Sequence, residues 1–270
     1  MKFLFSIFCC FNITALKAQE LFVYSEPASN MATKSIGIRA NNYLMRETAT
    51  GNYSHSFAPE IMLGASKKLM LHGEAFFGYD ISRFNFDGAS FYAKYRFYSA
   101  DEVHCHFRMA AYGKIASSDN PVTQPAIDLA GRNSGAEAGI VATKLMYKIA
   151  VSAGGSFVHA WDNSGNNKFV LGRGSRNAFN YNLSFGKLFL PKIYKTYRQV
   201  NLNGMLEGLG QTNAGTGRSF IDLAPSIQLI FFSRMRLDMG YRFPVLNSLS
   251  REQDRGFLLR LEYNFFNAYK

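Results

Sequence analysis

Residues 255–266 read RGFLLRLEYNFF, and the spacing of their apolar side chains decides the fold. Phe257, Leu259, Leu261, Tyr263 and Phe265 occupy alternate positions, while Leu258, Arg260, Glu262, Asn264 and Phe266 fill the gaps. A helix turns through about 100° per residue and would scatter Arg260 and Glu262 around its axis. A strand sends successive side chains to opposite faces, giving one apolar face and one mostly polar face. The segment reads as a strand.

The same period of two recurs upstream. Leu237, Met239, Tyr241 and Phe243 alternate with Arg236, Asp238, Gly240 and Arg242. Ile221, Leu223, Ile227 and Leu229 alternate with Asp222, Ala224, Ser226 and Gln228. Phe179, Tyr181, Leu183 and Phe185 alternate with Asn180, Asn182, Ser184 and Gly186. Marking each such run gives strands near 34–45, 56–66, 69–80, 86–98, 104–117 and 134–144. Six more fall near 147–161, 177–189, 198–210, 219–231, 234–246 and 255–266. Each is long enough for a tilted membrane-crossing strand of roughly 9–11 residues. An even total, about twelve, suits a single-chain barrel. Pro59 and Pro225 lack a ladder donor and are expected at bulges.

The connections alternate in length. The longer set, 46–55, 81–85, 118–133, 162–176, 211–218 and 247–254, is rich in Gly, Asn, Ser and Asp. The shorter set is 67–68, 99–103, 145–146, 190–197 and 232–233. Outer-membrane barrels combine short periplasmic turns with long outer loops, so the last strand should end at the periplasmic side. The stretch 81–85 is short for an outer loop, and 190–197 is long for an inner turn.

The start supplies an address. MKFLFSIFCCFNITALKAQE places Lys2 before an apolar run and small or polar residues after it, the layout of a cleaved secretory signal peptide over 1–19. The apolar run is too short for a membrane helix of roughly 20 residues. Residues 20–33 then form a periplasmic N-terminal segment, read as a disordered leader in preference to a periplasmic plug or partner tail, and 34–270 the barrel. Loss of the leader removes Cys9 and Cys10 and leaves Cys105 alone, so no internal disulfide forms. It also removes Lys2 and Lys17, taking the net charge from +11 to +9. In an exported chain that balance points to anionic headgroups, sugars or solutes, and nucleic acid is not expected. The mature chain has no run of 18 apolar residues, so it can cross a bilayer only as a closed barrel, an all-β transmembrane antiparallel fold.

The leader, the alternating segments and the aromatic-ended stretch LRLEYNFF resemble the Gram-negative outer-membrane β-barrel superfamily. The resemblance covers the whole mature chain and implies a bacterial outer-membrane location, contact with outer-membrane lipid and handling by the barrel-assembly machinery. Asn267 to Lys270 trail past the terminal aromatic, a departure from the usual assembly signal. The run YSEPASNMATKSIGIRA (24–40) is also similar to the opening of small exported barrels of gut-type anaerobes. A looser likeness to solute channels favours transport.

On a barrel the polar face lines the lumen. That face carries Arg39, Glu60, His72, Glu74, Lys94, Arg96, His106, Arg108 and Lys114, then Glu137, Glu207, Asp222, Arg236, Asp238, Arg242, Arg260 and Glu262. Cationic side chains in a pore attract anionic or polar solutes, so a passive channel or transporter is the leading expectation. Mutual ion pairing would instead close the lumen and leave a structural or surface-interaction barrel; both signs on the last two strands make such pairing plausible. A lipid hydrolase at the outer rim is a third reading, because one twelve-stranded barrel enzyme uses a serine and a histidine there. His55 beside Ser54 and Ser56, and His159 near Ser156, are the available pairs, and neither carries a family motif. The chain is therefore read as no enzyme, with no cofactor.

HCHFRMAAYGK (104–114) poses a metal question. As a fifth strand it puts His104, His106 and Arg108 inward and Cys105 and Met109 toward lipid. The two sets cannot converge, a histidine pair lacks a third ligand, and no metal site is expected.

Overall fold

The computed structural model describes residues 22–80, 83–165, 167–169, 174–191, 193 and 199–269. The expected signal peptide, and parts of the connections 81–85, 162–176 and 190–197, lie outside them. Among the described residues, twelve strands close into one antiparallel barrel. They are β1 (Ile36–Glu47), β2 (Tyr53–Leu63), β3 (Leu69–Asp80), β4 (Arg83–Glu102), β5 (Cys105–Ser118) and β6 (Gly135–Met146). The circuit continues with β7 (Ile149–Ala160), β8 (Asn177–Leu190), β9 (Asn201–Asn213), β10 (Ser219–Phe231), β11 (Met235–Asn247) and β12 (Gln253–Phe265). Each strand pairs with its sequence neighbours, and β1 pairs with β12 to close the ring. No helix long and apolar enough to cross a membrane is present among the described residues.

The alternation maps onto the wall with its apolar face outward. On β12, Phe257, Leu259 and Leu261 are 51, 49 and 49% exposed, against 2, 7 and 3% for Leu258, Arg260 and Glu262. Such a wall is stable only against hydrocarbon, and closure leaves no unpaired edge there. Aromatic rings cluster near both ends. Phe77, Phe84 and Phe86 pack together near the outer end, while the Tyr98–Phe107 and Tyr263–Phe265 pairs sit near the inner end. Two aromatic girdles of this kind mark the membrane–water interfaces of outer-membrane barrels.

Three expectations change. Pro59 and Pro225 are not at bulges: β2–β3 pairing passes from Phe57–Phe77 to Glu60–Glu74, and β10–β11 pairing from Leu223–Phe243 to Ser226–Gly240, each without a register shift. The missing proline N–H is absorbed as a skipped rung. His104 is not a strand residue but part of the β4–β5 turn, with φ 63°. It stacks on Tyr147 of the adjoining β6–β7 turn at 5.4 Å and accepts that residue's N–H through its carbonyl. β4 runs to 20 residues, well beyond the expected 86–98.

The fourth change concerns the lumen. The segment 20–33, expected as a periplasmic leader with a plug or partner tail as the alternative, is described from residue 22. It threads inside, with Phe22 and Val23 buried against Ala150, Met205 and Leu258 and Ala28 against Ala110 and Val141. Unsheltered apolar side chains explain this: Phe22 and Val23 gain roughly 1.5–3 kcal/mol each by leaving water. The long β5–β6 connection turns inward for the same reason. Val122, Ile127 and Leu129 pack on Val158, Phe169 and Ala178, and Ala126 packs on Phe220 and Leu249. Gly131 makes the return possible. Its φ is 96°, and a Cβ there would lie 2.9 Å from Phe76.

Candidate functional site

The inner half of the lumen is built on an alternating belt. Arg236 faces Glu262, Glu262 faces Arg39 and Arg39 faces Glu60, in register across β11, β12, β1 and β2. The side chains close onto one another: Arg236–Glu262, Arg39–Glu262 and Arg39–Glu60 are each 2.9 Å. Beside the belt, Arg260 donates to Asn41 at 2.6 Å and lies 3.7 Å from Asp238. Directly opposed residues of opposite charge stabilise a sheet, and buried they require this pairing. Glu60 and Glu74 also face each other across β2 and β3. His72 Nδ1, 2.5 Å from Glu60, and Lys114 Nζ, 3.6 Å from Glu74, offset that like-charge contact.

The N-terminal segment is tied to opposite walls. On β9, the Glu207 carboxylate accepts the backbone N–H groups of Val23 and Tyr24 at 2.9 Å and of Ser25 at 2.8 Å. On β4, the Lys94 ammonium donates to the carbonyls of Pro27 at 2.7 Å and Ser29 at 3.0 Å. Glu26 bridges Arg39 at 3.2 Å and Lys94 at 3.4 Å. Strands 4 and 9 stand nearly across the ring from each other, so the segment spans the bore. Its Tyr24 ring lies over Gly240, where a Cβ would come within 2.7 Å of the ring.

The inturned loop roofs the middle. The Gln211 side chain clips it, accepting the Ile127 N–H at 2.8 Å and donating to the Ile127 carbonyl at 2.7 Å. Farther out, Arg242 and Arg251 both close on Asp222, and Arg132 on Glu252.

Between plug and roof lies a chamber of about 430 Å³. It shares Tyr24, Tyr43, Arg132, Arg242 and Arg251 with a wider vestibule of about 950 Å³ lined by outer loops. Among its described lining residues, Arg39, Lys114, Arg132, Arg242, Arg251 and Arg260 stand against Glu26, Glu60, Glu74, Asp128 and Glu137. The charges nearly balance. Much of the chain's positive excess sits elsewhere, for example at Lys67, Lys68, Lys148 and Arg234 in the short turns.

Of the residues expected in the lumen, Arg39, Glu60, His72, Lys94, Glu207, Asp222, Arg236, Asp238, Arg260 and Glu262 are buried inside, and Glu74, Lys114, Glu137 and Arg242 line the chamber. Arg96 is at the inner rim, next to the register shift between Arg96 and Tyr98, and donates to the Lys67 carbonyl at 2.7 Å. His106 and Arg108 meet Asp101 at the inner mouth, at 2.8 and 3.1 Å. The Ser156–His159 pair does not assemble. Ser156 points inward onto Glu137, whereas His159 bonds Asn177 on the outer side, and Ser54 is held by the Met45 carbonyl and Gln253.

No protein-family model and no curated protein matches the sequence. Solved structures do share the fold. An outer membrane channel from Pseudomonas putida F1 superposes with a TM-score of 0.60 at 13% identity, over 90% of this chain and 100% of that one. The KdgM porin superposes with a TM-score of 0.52 at 12% identity, over 85% and 99%. The chain thus has the outer-membrane β-barrel fold.

Proposed function

We propose that this barrel is a passive outer-membrane channel for small polar solutes, closed in its resting form by its own N-terminal segment. The observation that carries this reading is the chamber: a polar, two-signed cavity that continues into an outer vestibule and meets the plug on its inner side. A purely structural barrel would have no use for such a cavity. The fold of the two channels supports the assignment by analogy. The nearly balanced lining removes the basis for a preference for anions. Of the seventeen charged and histidine residues named from the sequence, most act as pore lining or as the belt that shapes it, Lys94 and Glu207 hold the plug, and Arg96, His106 and Arg108 stand at the inner rim. Lipid contacts the apolar wall, and the barrel-assembly machinery is the expected partner in insertion.

The second reading, a structural or surface-interaction barrel, is favoured by the plug itself, because a filled bore conducts little. Planar-bilayer recording of the folded protein, intact and with residues 22–31 deleted, separates the two. Small, flickering conductance that grows on deletion supports the channel. Silence from both forms overturns it and leaves the structural barrel.

A further inference from the structure

Most of the charged groups around the chamber already hold one another. The polar groups left open there are of another kind. Tyr24 Oη, His72 Nε2 and Asn182 Nδ2 are buried without a partner among the described residues, and all three residues line the chamber. His72 is only 4% exposed, and its other ring nitrogen is already committed to Glu60. Glu137 is open on one side only. Its Oε1 receives Ser156 Oγ, Asn180 Nδ2 at 3.2 Å and Tyr112 Oη at 3.4 Å, while Oε2 has no partner among the described residues.

Buried polar groups left without partners are costly, about 1–3 kcal/mol each, unless something satisfies them. The open set mixes donors and acceptors, and Glu137 brings to it a carboxylate held only by neutral partners among the described residues. An anionic ligand, or the carboxylate of a zwitterion, would have to break the Arg–Asp and Arg–Glu pairs to gain a counter-charge. A hydroxyl both donates and accepts, and meets the open groups without disturbing any pair. The Tyr43, Tyr92 and Tyr112 side chains line the same space, with Tyr92 packed between His72 and Tyr112, so the wall beside the open groups is aromatic, a surface that C–H groups of a pyranose can pack against. About 430 Å³ falls within the range of small-molecule pockets, roughly 300–1,000 Å³.

We infer that the chamber is a binding site for a neutral saccharide of one or two rings, with Tyr24, His72, Asn182 and Glu137 as its hydroxyl-recognising groups. As a transport site this rests on the channel reading; the binding itself does not.

The test is calorimetric titration of the detergent-solubilised, folded protein with D-glucose and with maltose, beside D-glucuronate as the anionic probe and L-glutamine as the zwitterionic one. Expected is saturable heat in the millimolar range with a neutral sugar, weakened at least tenfold in Tyr24→Phe and in Glu137→Gln. Heat-modifiable gel mobility shows that each variant is folded, and the unaltered protein alone suffices if one is not. No saturable heat from either neutral sugar, tighter binding of glucuronate or glutamine, or unchanged affinity in both folded variants overturns the assignment. Sugar binding by a protein that conducts in neither its intact nor its plug-deleted form would sink the channel reading and leave the site standing. Conductance without sugar binding would do the reverse.

Discussion

Glu207 grips Ser25 twice: one carboxylate oxygen accepts both the backbone N–H of Ser25, at 2.8 Å, and its hydroxyl, at 2.7 Å. With the N–H groups of Val23 and Tyr24 on the other oxygen, a single wall residue holds three successive peptide groups. Hydrogen bonds to a charged acceptor are about twice as strong as neutral ones. Glu207→Gln keeps the shape but weakens every one of these bonds, and should raise mean single-channel conductance and open probability. Glu207→Ala should raise them further. Conductance equal to the parent in both variants would show that this latch does not hold the bore shut.

The hydroxyls of Ser25 and Ser184 lie 2.8 Å apart, close enough for a disulfide once both are cysteine, since two bonded sulfurs need about 2.05 Å. Ser25→Cys with Ser184→Cys, in a Cys105→Ser background, should give a channel silent when oxidised and active after reduction. Identical currents before and after reductant, with the crosslink verified by mass, would count against a plug that moves.

Arg39 serves Glu26, Glu60 and Glu262 together. Arg39→Ala strands buried carboxylates, for which a cost of about 3–5 kcal/mol is typical. The barrel should unfold at a clearly lower temperature in a gel-mobility series. Exchanging the pair, Arg39→Glu with Glu60→Arg, should recover part of the loss. A full additive loss in the double variant would mean the pair is not coupled.

Gln211 is the clip on the inturned loop. Gln211→Leu removes both bonds to Ile127 and leaves that peptide group unsatisfied. Trypsin added from outside should then cut after Arg132 faster than in the parent, with the barrel still folded by gel mobility. Equal cutting rates would place the loop's anchorage in its apolar contacts alone.

The wall was legible in the sequence because a strand's faces are a local property: Leu258, Arg260 and Glu262 announce their side by position alone. The belt was half legible, since the signs on the last two strands are visible but their partners depend on register. The bore was not legible. Period-two reasoning describes the wall and is silent about chain that crosses it, so 20–33 reads as a leader in preference to a plug, and 118–133 as an outer loop. The available signal was composition: Phe22 and Val23 in a supposed tail, and Val122, Ile127 and Leu129 in a supposed solvent loop, have no reason to be wet. The chamber's open hydroxyl, imidazole and amide lie on three elements brought together only by closure, the plug, β3 and β8.

Closure has its own proofreading. The seam is the one contact between strands farthest apart in the chain, β1 and β12, and so pairs without the guidance of a hairpin turn. A slip of one residue would turn Arg260 and Glu262 into hydrocarbon. A slip of two keeps the faces right, which patterning alone would accept, but it sets Arg39 opposite Arg260 in one direction and opposite Asn264 in the other. Only the correct alignment gives Arg39 a glutamate on both sides. The charged belt is then an assembly key, rejecting the near-misses that greasy alternation cannot tell from the native ring.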